Sequence, residues 1–236
     1  KEADTALTGS AFSLRPDILK TALPILLTGA RLTLLLTAVT LLIGVPLGLL
    51  VALARLSHFG LLRGIAMVYI EIVRGTPLLM QIYVIYFVLP ALGISLPAFL
   101  SGVAALSLNA AAYVAEIFRA GIESIDTGQR EAAQALGMTG GQTMRYVILP
   151  QTIRRVLPPL TNEAAALLKD SSLVSVVALS ELMRVGKETA TNAGSPTTIY
   201  LAVACIYLAM TLPLTALVRR LESRWQFVRR TPKGAK

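Results

Sequence analysis

The chain is short of charge. Of its 236 residues 15% are Asp, Glu, Lys or Arg, while 55% are hydrophobic. An ordinary soluble domain carries roughly 25% charged residues, so a water-soluble globule is excluded and a chain that crosses a membrane several times is implied. Histidine and cysteine are nearly absent. His58 is the only histidine, which excludes a histidine metal cluster and leaves a histidine-based triad only one residue, in a polar loop, to be built around. Cys205 is the only cysteine, so internal disulfides and cysteine metal sites are excluded; inside an apolar run it reads as inert packing. No metal site and no enzyme chemistry are expected in this chain. Its Gly-Lys pair, Gly186-Lys187, is followed by Glu188 and lacks the upstream glycine of a phosphate-cradling loop, so nucleotide binding is not expected either. An initial Met and a charged-then-apolar leader are also missing at Lys1. The expectation is a trimmed tail or an extracytoplasmic domain encoded upstream.

What the chain has in excess is positive charge, +9 net, with a mean hydropathy of +0.68. Basic proteins bind phosphate, but here the cations sit at the ends of apolar runs and form no aromatic-interleaved patch, so a nucleic-acid partner is not expected. Leu32 to Ala54 is uncharged over 23 residues, enough at 1.5 Å per residue to cross a ~30 Å hydrocarbon core. Ahead of it, Ser13 to Leu23, with Phe12, Leu14, Ile18 and Leu19, reads as an amphipathic helix lying on the membrane surface. Within the span, Gly44-Val-Pro-Leu-Gly48 is a pair of glycines that lets another helix come close. Arg55, His58 and Arg63 place its far end in the cytoplasm.

A second span, 61–92, is longer than a bilayer needs and holds Glu71-Ile-Val-Arg74-Gly-Thr-Pro77. Pro77 after Gly75 and Thr76 predicts a kink. Glu71 and Arg74, three apart, share a face and can neutralise each other or sit together at headgroup level. A third span, 99–118, carries Asn109, Tyr113 and Glu116 at i, i+4 and i+7, a polar stripe that must face protein or water. After Arg154 and Arg155 comes a fourth, 152–170, expected to be broken at Pro158-Pro159 and holding Asn162, Glu163, Lys169 and Asp170, followed by Ser171 and Ser172. Ionisable groups at that depth cost ~2.5 to 3.5 kcal/mol each unless paired or wet. Either Lys169 and Asp170 form a structural ion pair, or they line a polar cavity; Asn109, Glu163, Lys169, Asp170 and Ser171 are the substrate-contact candidates. Leu173 to Met183 is apolar but too short to span, and Arg184 to Ser195 reads as a polar external loop. The fifth span, 197–217, ends in Arg219, Arg220, Arg224, Arg229, Arg230 and Lys233, with Trp225 at interface depth. The expected fold is an all-α membrane protein of five transmembrane helices in one domain, 1–236, N-terminus outside and C-terminus inside.

One stretch is different, a polar interruption over 126–150. Asp126 with Gln129 can cap one helix that Gly137 ends, and Thr139 with Gln142 can cap another that Pro150 closes. Between them Ala132, Ala133 and Ala135 are too small to build a core but allow another surface to approach the backbone closely. The spacing of Glu131-Ala132-Ala133, Gly137, Val147 and Leu149-Pro150 resembles the EAA loop of the membrane-spanning permease subunits of bacterial ABC importers, in which isoleucine usually stands where this chain has Val147. The run Glu71, Arg74, Gly75, Thr76, Pro77 is similar to the signature of the polar amino-acid branch of that family. The resemblance implies a type I importer permease in the bacterial inner membrane. It further implies a dimer with an identical or sibling permease and two copies of an ATP-binding subunit that holds ATP and Mg and seats the loop, through Glu131, Ala132, Ala133, Gly137, Leu149 and Pro150. An extracytoplasmic substrate-binding protein, separate or fused upstream, delivers a polar amino acid. Asp170 and Glu163 favour a basic one. An ion-coupled secondary transporter, or a membrane anchor that transports nothing, is the alternative.

Overall fold

Pro16 opens the first helix at a position where its missing N–H is no loss. In the computed structural model, which describes residues 14–226, that helix (α1, Pro16–Arg55) runs unbroken for 40 residues, roughly 60 Å. It absorbs the segment expected to lie separately on the membrane surface. Ala22, Leu26 and Ala30 are buried against residues far along the chain, including Leu182, Ile199 and Val203, and this packing keeps the first turns in line with the span. Phe12, Arg229, Arg230 and Lys233 lie outside the described residues, as do the side chains of Arg219, Arg224 and Trp225.

The expected second span divides in two: α2 (Gly60–Gly75) and α3 (Leu78–Tyr83), the latter continued by a π-helical turn, Val84–Val88, and a 3₁₀ turn, Leu89–Leu92. The two parts meet at 106°, far beyond a kink. Thr76, driven out of the helical region by the proline that follows it, is extended (φ −119°, ψ 146°), and Pro77 then starts the new direction. α4 (Ala98–Glu123) is the central helix, packed against α1, α2, α3 and the later α7. The two glycines of α1 serve this contact. Gly44 lies over Ser107 and Ala110, and a Cβ on Gly48 would come within 2.5 Å of a Val114 methyl.

α5 (Thr127–Ala135) and α6 (Gly140–Thr143) form the interruption, and α7 (Leu149–Asp170) follows. Pro150 does not close the second loop helix. A π-helical turn, Met144–Ile148, carries the chain from α6 straight into α7. Both π turns precede a Leu-Pro pair, Leu89-Pro90 and Leu149-Pro150. Proline cannot donate to the carbonyl four residues back and crowds it, and a widened turn relieves both problems. Nor does α7 break at Pro158-Pro159; it runs on to Asp170 and gives way to a 3₁₀ segment, Ser171–Val177. The expected external loop is a helix, α8 (Leu182–Ala193), because its apolar residues recur on one face: Leu182, Val185, Gly186 and Ala190 are buried. α9 (Pro196–Gln226) is the last of the described helices.

Among the described residues all regular structure is helical. Three helices are long and apolar enough to cross a membrane, α1, α4 and α9, or four with the bent α2–α3 pair. α7 is not among them, since Arg154, Arg155, Glu163, Lys169 and Asp170 interrupt its apolar sequence.

Candidate functional site

The α4 stripe meets the bend between α2 and α3. A break in a helix orphans carbonyls, and in an apolar surrounding each must find a donor. Gln81, one turn beyond Pro77, supplies it. Its amide nitrogen lies 2.7 Å from the Val73 carbonyl, 3.0 Å from the Thr76 hydroxyl and 3.2 Å from the Thr76 carbonyl, and its amide oxygen accepts from Asn109 Nδ2 at 3.0 Å. Asn109, 8% exposed, therefore ties α4 to the bend, and its amide nitrogen is committed there. One turn earlier Tyr69 on α2 donates to the Leu108 carbonyl at 2.5 Å.

Glu116, two turns further along α4, gathers three arginines from three helices. Arg55 at the end of α1 and Arg119 on α4 bond it directly, the latter at 3.0 Å, and Arg74 approaches to 3.8 Å. Arg74 also lies 5.2 Å over the Tyr113 ring, a cation–π distance. The expected Glu71–Arg74 pair does not form among the described ion pairs. The two share a helix face and are both exposed, but Arg74 reaches Glu116 across the α2–α4 contact.

On α7, Glu163 is half-buried and close enough to Arg74 and Asp170 to interact electrostatically with both. Glu163 and Asp170 stand at i and i+7, two turns apart on one face. Lys169 does not pair with Asp170 at ion-pair distance among the described residues; neighbours on a helix diverge by about 100°. Lys169 instead faces a groove of about 520 Å³ with Ser172, Met183, Tyr200 and Tyr207. Ser171 is fully buried and its hydroxyl donates to the Leu168 carbonyl at 2.7 Å, so it shapes the end of α7 and meets no cavity. Of the five substrate-contact candidates, Glu163 and Asp170 share a polar face, Asn109 braces the bend, Lys169 lines a groove while still acting electrostatically on Asp170, and Ser171 is enclosed.

Four residues escaped the sequence reading. Gln81 could have been found as the lone amide in the apolar run after Pro77. Arg55 was read only as a charge marking a membrane end. Glu181 is 0% exposed and caps α8, accepting from Met183 N at 2.8 Å and Arg184 N at 2.7 Å, while Tyr207 on α9 donates to it at 3.1 Å. Nothing local announces either the burial of Glu181 or its partner Tyr207.

The two-helix loop is built by its own caps. Asp126 accepts from Gly128 N at 2.7 Å, one residue earlier than the Gln129 box would require. Gly137 (φ +77°) ends α5: its N–H reaches the Gln134 carbonyl at 2.9 Å and Met138 N–H the Ala133 carbonyl at 3.1 Å, a Schellman closure that needs a left-handed residue. Thr139 and Gln142 form the reciprocal capping box. Glu131, Ala132, Gly137 and Pro150 are exposed and Leu149 half-buried. Ala133 is 3% exposed and turns into the protein, so it lines no outer surface. Leu136, 83% exposed, and Tyr146 present apolar surface to solvent on this loop.

The chain resembles known proteins along most of its length. The family model described as "Binding-protein-dependent transport system inner membrane component" matches residues 44–227. This chain belongs to that family. The permease is 40% identical over 209 residues to the glutamine transport system permease protein GlnP of Escherichia coli K12, covering 88% of this chain and 95% of that one. It is 40% identical over 207 residues to the arginine transport system permease protein ArtQ of Bacillus subtilis, covering 86% and 93%. The crystal structure of an amino acid ABC transporter with histidines matches at 41% identity and a TM-score of 0.85, over 90% of this chain and all of that one. The permease is thus a multi-pass transmembrane subunit of an importer in the inner membrane, a transport subunit rather than a catalytic one. Permeases of this family work with an ATPase and a substrate-binding protein.

Proposed function

We propose that this permease, paired with an identical or sibling copy, lines a pathway for polar amino acids and favours those with a cationic side chain. The carrying observation is the face of α7 that holds Glu163 and Asp170, with Arg74 near enough to act on Glu163 electrostatically. A cationic side chain between two carboxylates gains charge-assisted hydrogen bonds of about 1.5 to 3 kcal/mol each, and the exposed Arg74 offers the substrate carboxylate a counterion. α7 is too polar to face lipid, which supports its place as the fourth of five spans lining water or a second copy. In this reading the N-terminus is outside and the C-terminus inside, with α5 and α6 in the cytoplasm. Their exposed Glu131, Ala132, Leu136 and Gly137 seat in a groove on one of two ATPase subunits, which bind ATP and Mg. A substrate-binding protein, separate or encoded ahead of Lys1, delivers the substrate on the other side.

The relatives' names divide between a neutral and a cationic amino acid, so the test compares those two. In proteoliposomes holding the complete complex, D170N keeps size and removes charge. Arginine uptake is expected to fall about tenfold, the factor for 1.4 kcal/mol, with glutamine uptake changed much less; E163Q moves in the same direction. Equal uptake of both by D170N and the parent protein would remove the basic preference.

A further inference from the structure

Arg155 stands where the two-helix loop leaves the bundle. Its guanidinium, exposed on α7, donates both to the Ser124 carbonyl, which follows the last residue of α4, and to Ser124 Oγ at 2.9 Å. A cation there satisfies a helix-end carbonyl and complements the helix dipole. The backbone of α4 is packed tightly on side chains of α7 at the same place. A Cβ on Gly121 would lie 2.3 Å from a Val156 methyl and 3.2 Å from that of Thr152, so no bulkier residue fits between the helices. Gln151 adds a second tie, donating to the Val147 carbonyl at 2.9 Å and to the Gln129 side chain on α5 at 3.3 Å. Below them Ile122, Ile125 and Ile148 form a small buried cluster with Leu53 and Leu56 from the end of α1. The whole loop from Ile125 to Ile148 therefore hangs from one clamped base. Arg154, the adjacent arginine, has no such contact among the described residues.

We propose that Arg155 is a positioning residue that makes α5 and α6 move as one body with α4 and α7, so that force applied to the loop reaches the helices carrying Asn109, Glu116, Glu163 and Asp170 without slip. The inference rests on the reading of the loop as the ATPase seat. Without Arg155 the loop still folds and docks, because its caps and its exposed face are its own, but its displacement dissipates at the base. Hydrolysis then continues while transport falls behind.

The experiment reads glutamine and arginine transported per ATP hydrolysed in proteoliposomes containing the permease, its ATPase and its binding protein. R155A is expected to assemble and to hydrolyse ATP, with transport per ATP down about tenfold, the factor carried by one charge-assisted hydrogen bond. R155K, which keeps the cation but loses the paired donation, falls between, and R154A stays at the parent ratio. A parent ratio in R155A, loss of the ATPase from the R155A complex, or an equal drop in R154A would each overturn the proposal. Should R155A not accumulate in the membrane, R155K carries the test alone: a lowered ratio supports the clamp and a parent ratio overturns it. L136D tests the underlying reading separately, because an ATPase that co-purifies undiminished with L136D denies the docking role whatever Arg155 does.

Discussion

Pro77 and the pair Pro158-Pro159 present the same chemistry to a helix and receive opposite treatment. At Pro77 the chain turns by 106°, whereas at Pro158-Pro159 α7 runs through without a break. A proline determines which hydrogen bond is missing; its surroundings determine what the chain does about it. Beside Pro77, Thr76 is extended and Gln81 collects the orphaned carbonyls, holding the break open and fastening it to Asn109. Along α7 the flanking residues Val156, Ala164 and Ala165 are buried, and packing on both sides of the prolines keeps the helix continuous. Pro90 and Pro150 show a third treatment, the π turn.

The strongest way to break this contrast is Q81L. It leaves the Val73 carbonyl and the Asn109 amide without partners in an apolar surrounding, each worth about 1 to 3 kcal/mol. The expected result is a lower thermal aggregation temperature in detergent together with loss of amino-acid uptake. Retention of both would mean that the bend does not depend on Gln81. P77A is expected to have a smaller effect on stability and a clear one on uptake. Alanine restores the N–H and relaxes Thr76, so the α2–α3 angle opens and Arg74 moves away from Glu116, which spin-label distances between α2 and α4 can follow. The smallest effect belongs to P158A and P159A. Each returns a donor to a helix that already runs on without a break, and a stabilisation of about 1 kcal/mol with nearly unchanged uptake is expected. If either abolished uptake, the prolines of α7 would be as functional as Pro77.

Much of the site was legible before the structure. Asn109, Tyr113 and Glu116 fall on one stripe by spacing alone, and Asn109 and Glu116 on it meet polar partners within the protein. The loop was legible because caps are local: Thr139 and Gln142 are three residues apart, and Gly137 closes α5 through its own backbone conformation. The paired glycines of α1 mark a real close contact for the same kind of reason, since a missing side chain is visible in the sequence. Arg74 shows where such reading stops. Glu71 is its neighbour on the helix, yet Glu116, 42 residues away, is the partner. Lys169 and Asp170 are neighbours in the chain and face different surroundings, and Glu181 looks like any loop carboxylate until Tyr207 is brought beside it.

The sequence by itself determined the class of the protein, the long uncharged runs, and the capped loop. These depend on interactions within a few residues and on apolar length, both of which are written linearly. Only the tertiary structure decided which proline bends the chain, which acid each arginine meets, and which of the polar groups face one another. Those outcomes are choices among partners of similar strength, and distance across the bundle, which is absent from any local pattern, selects between them.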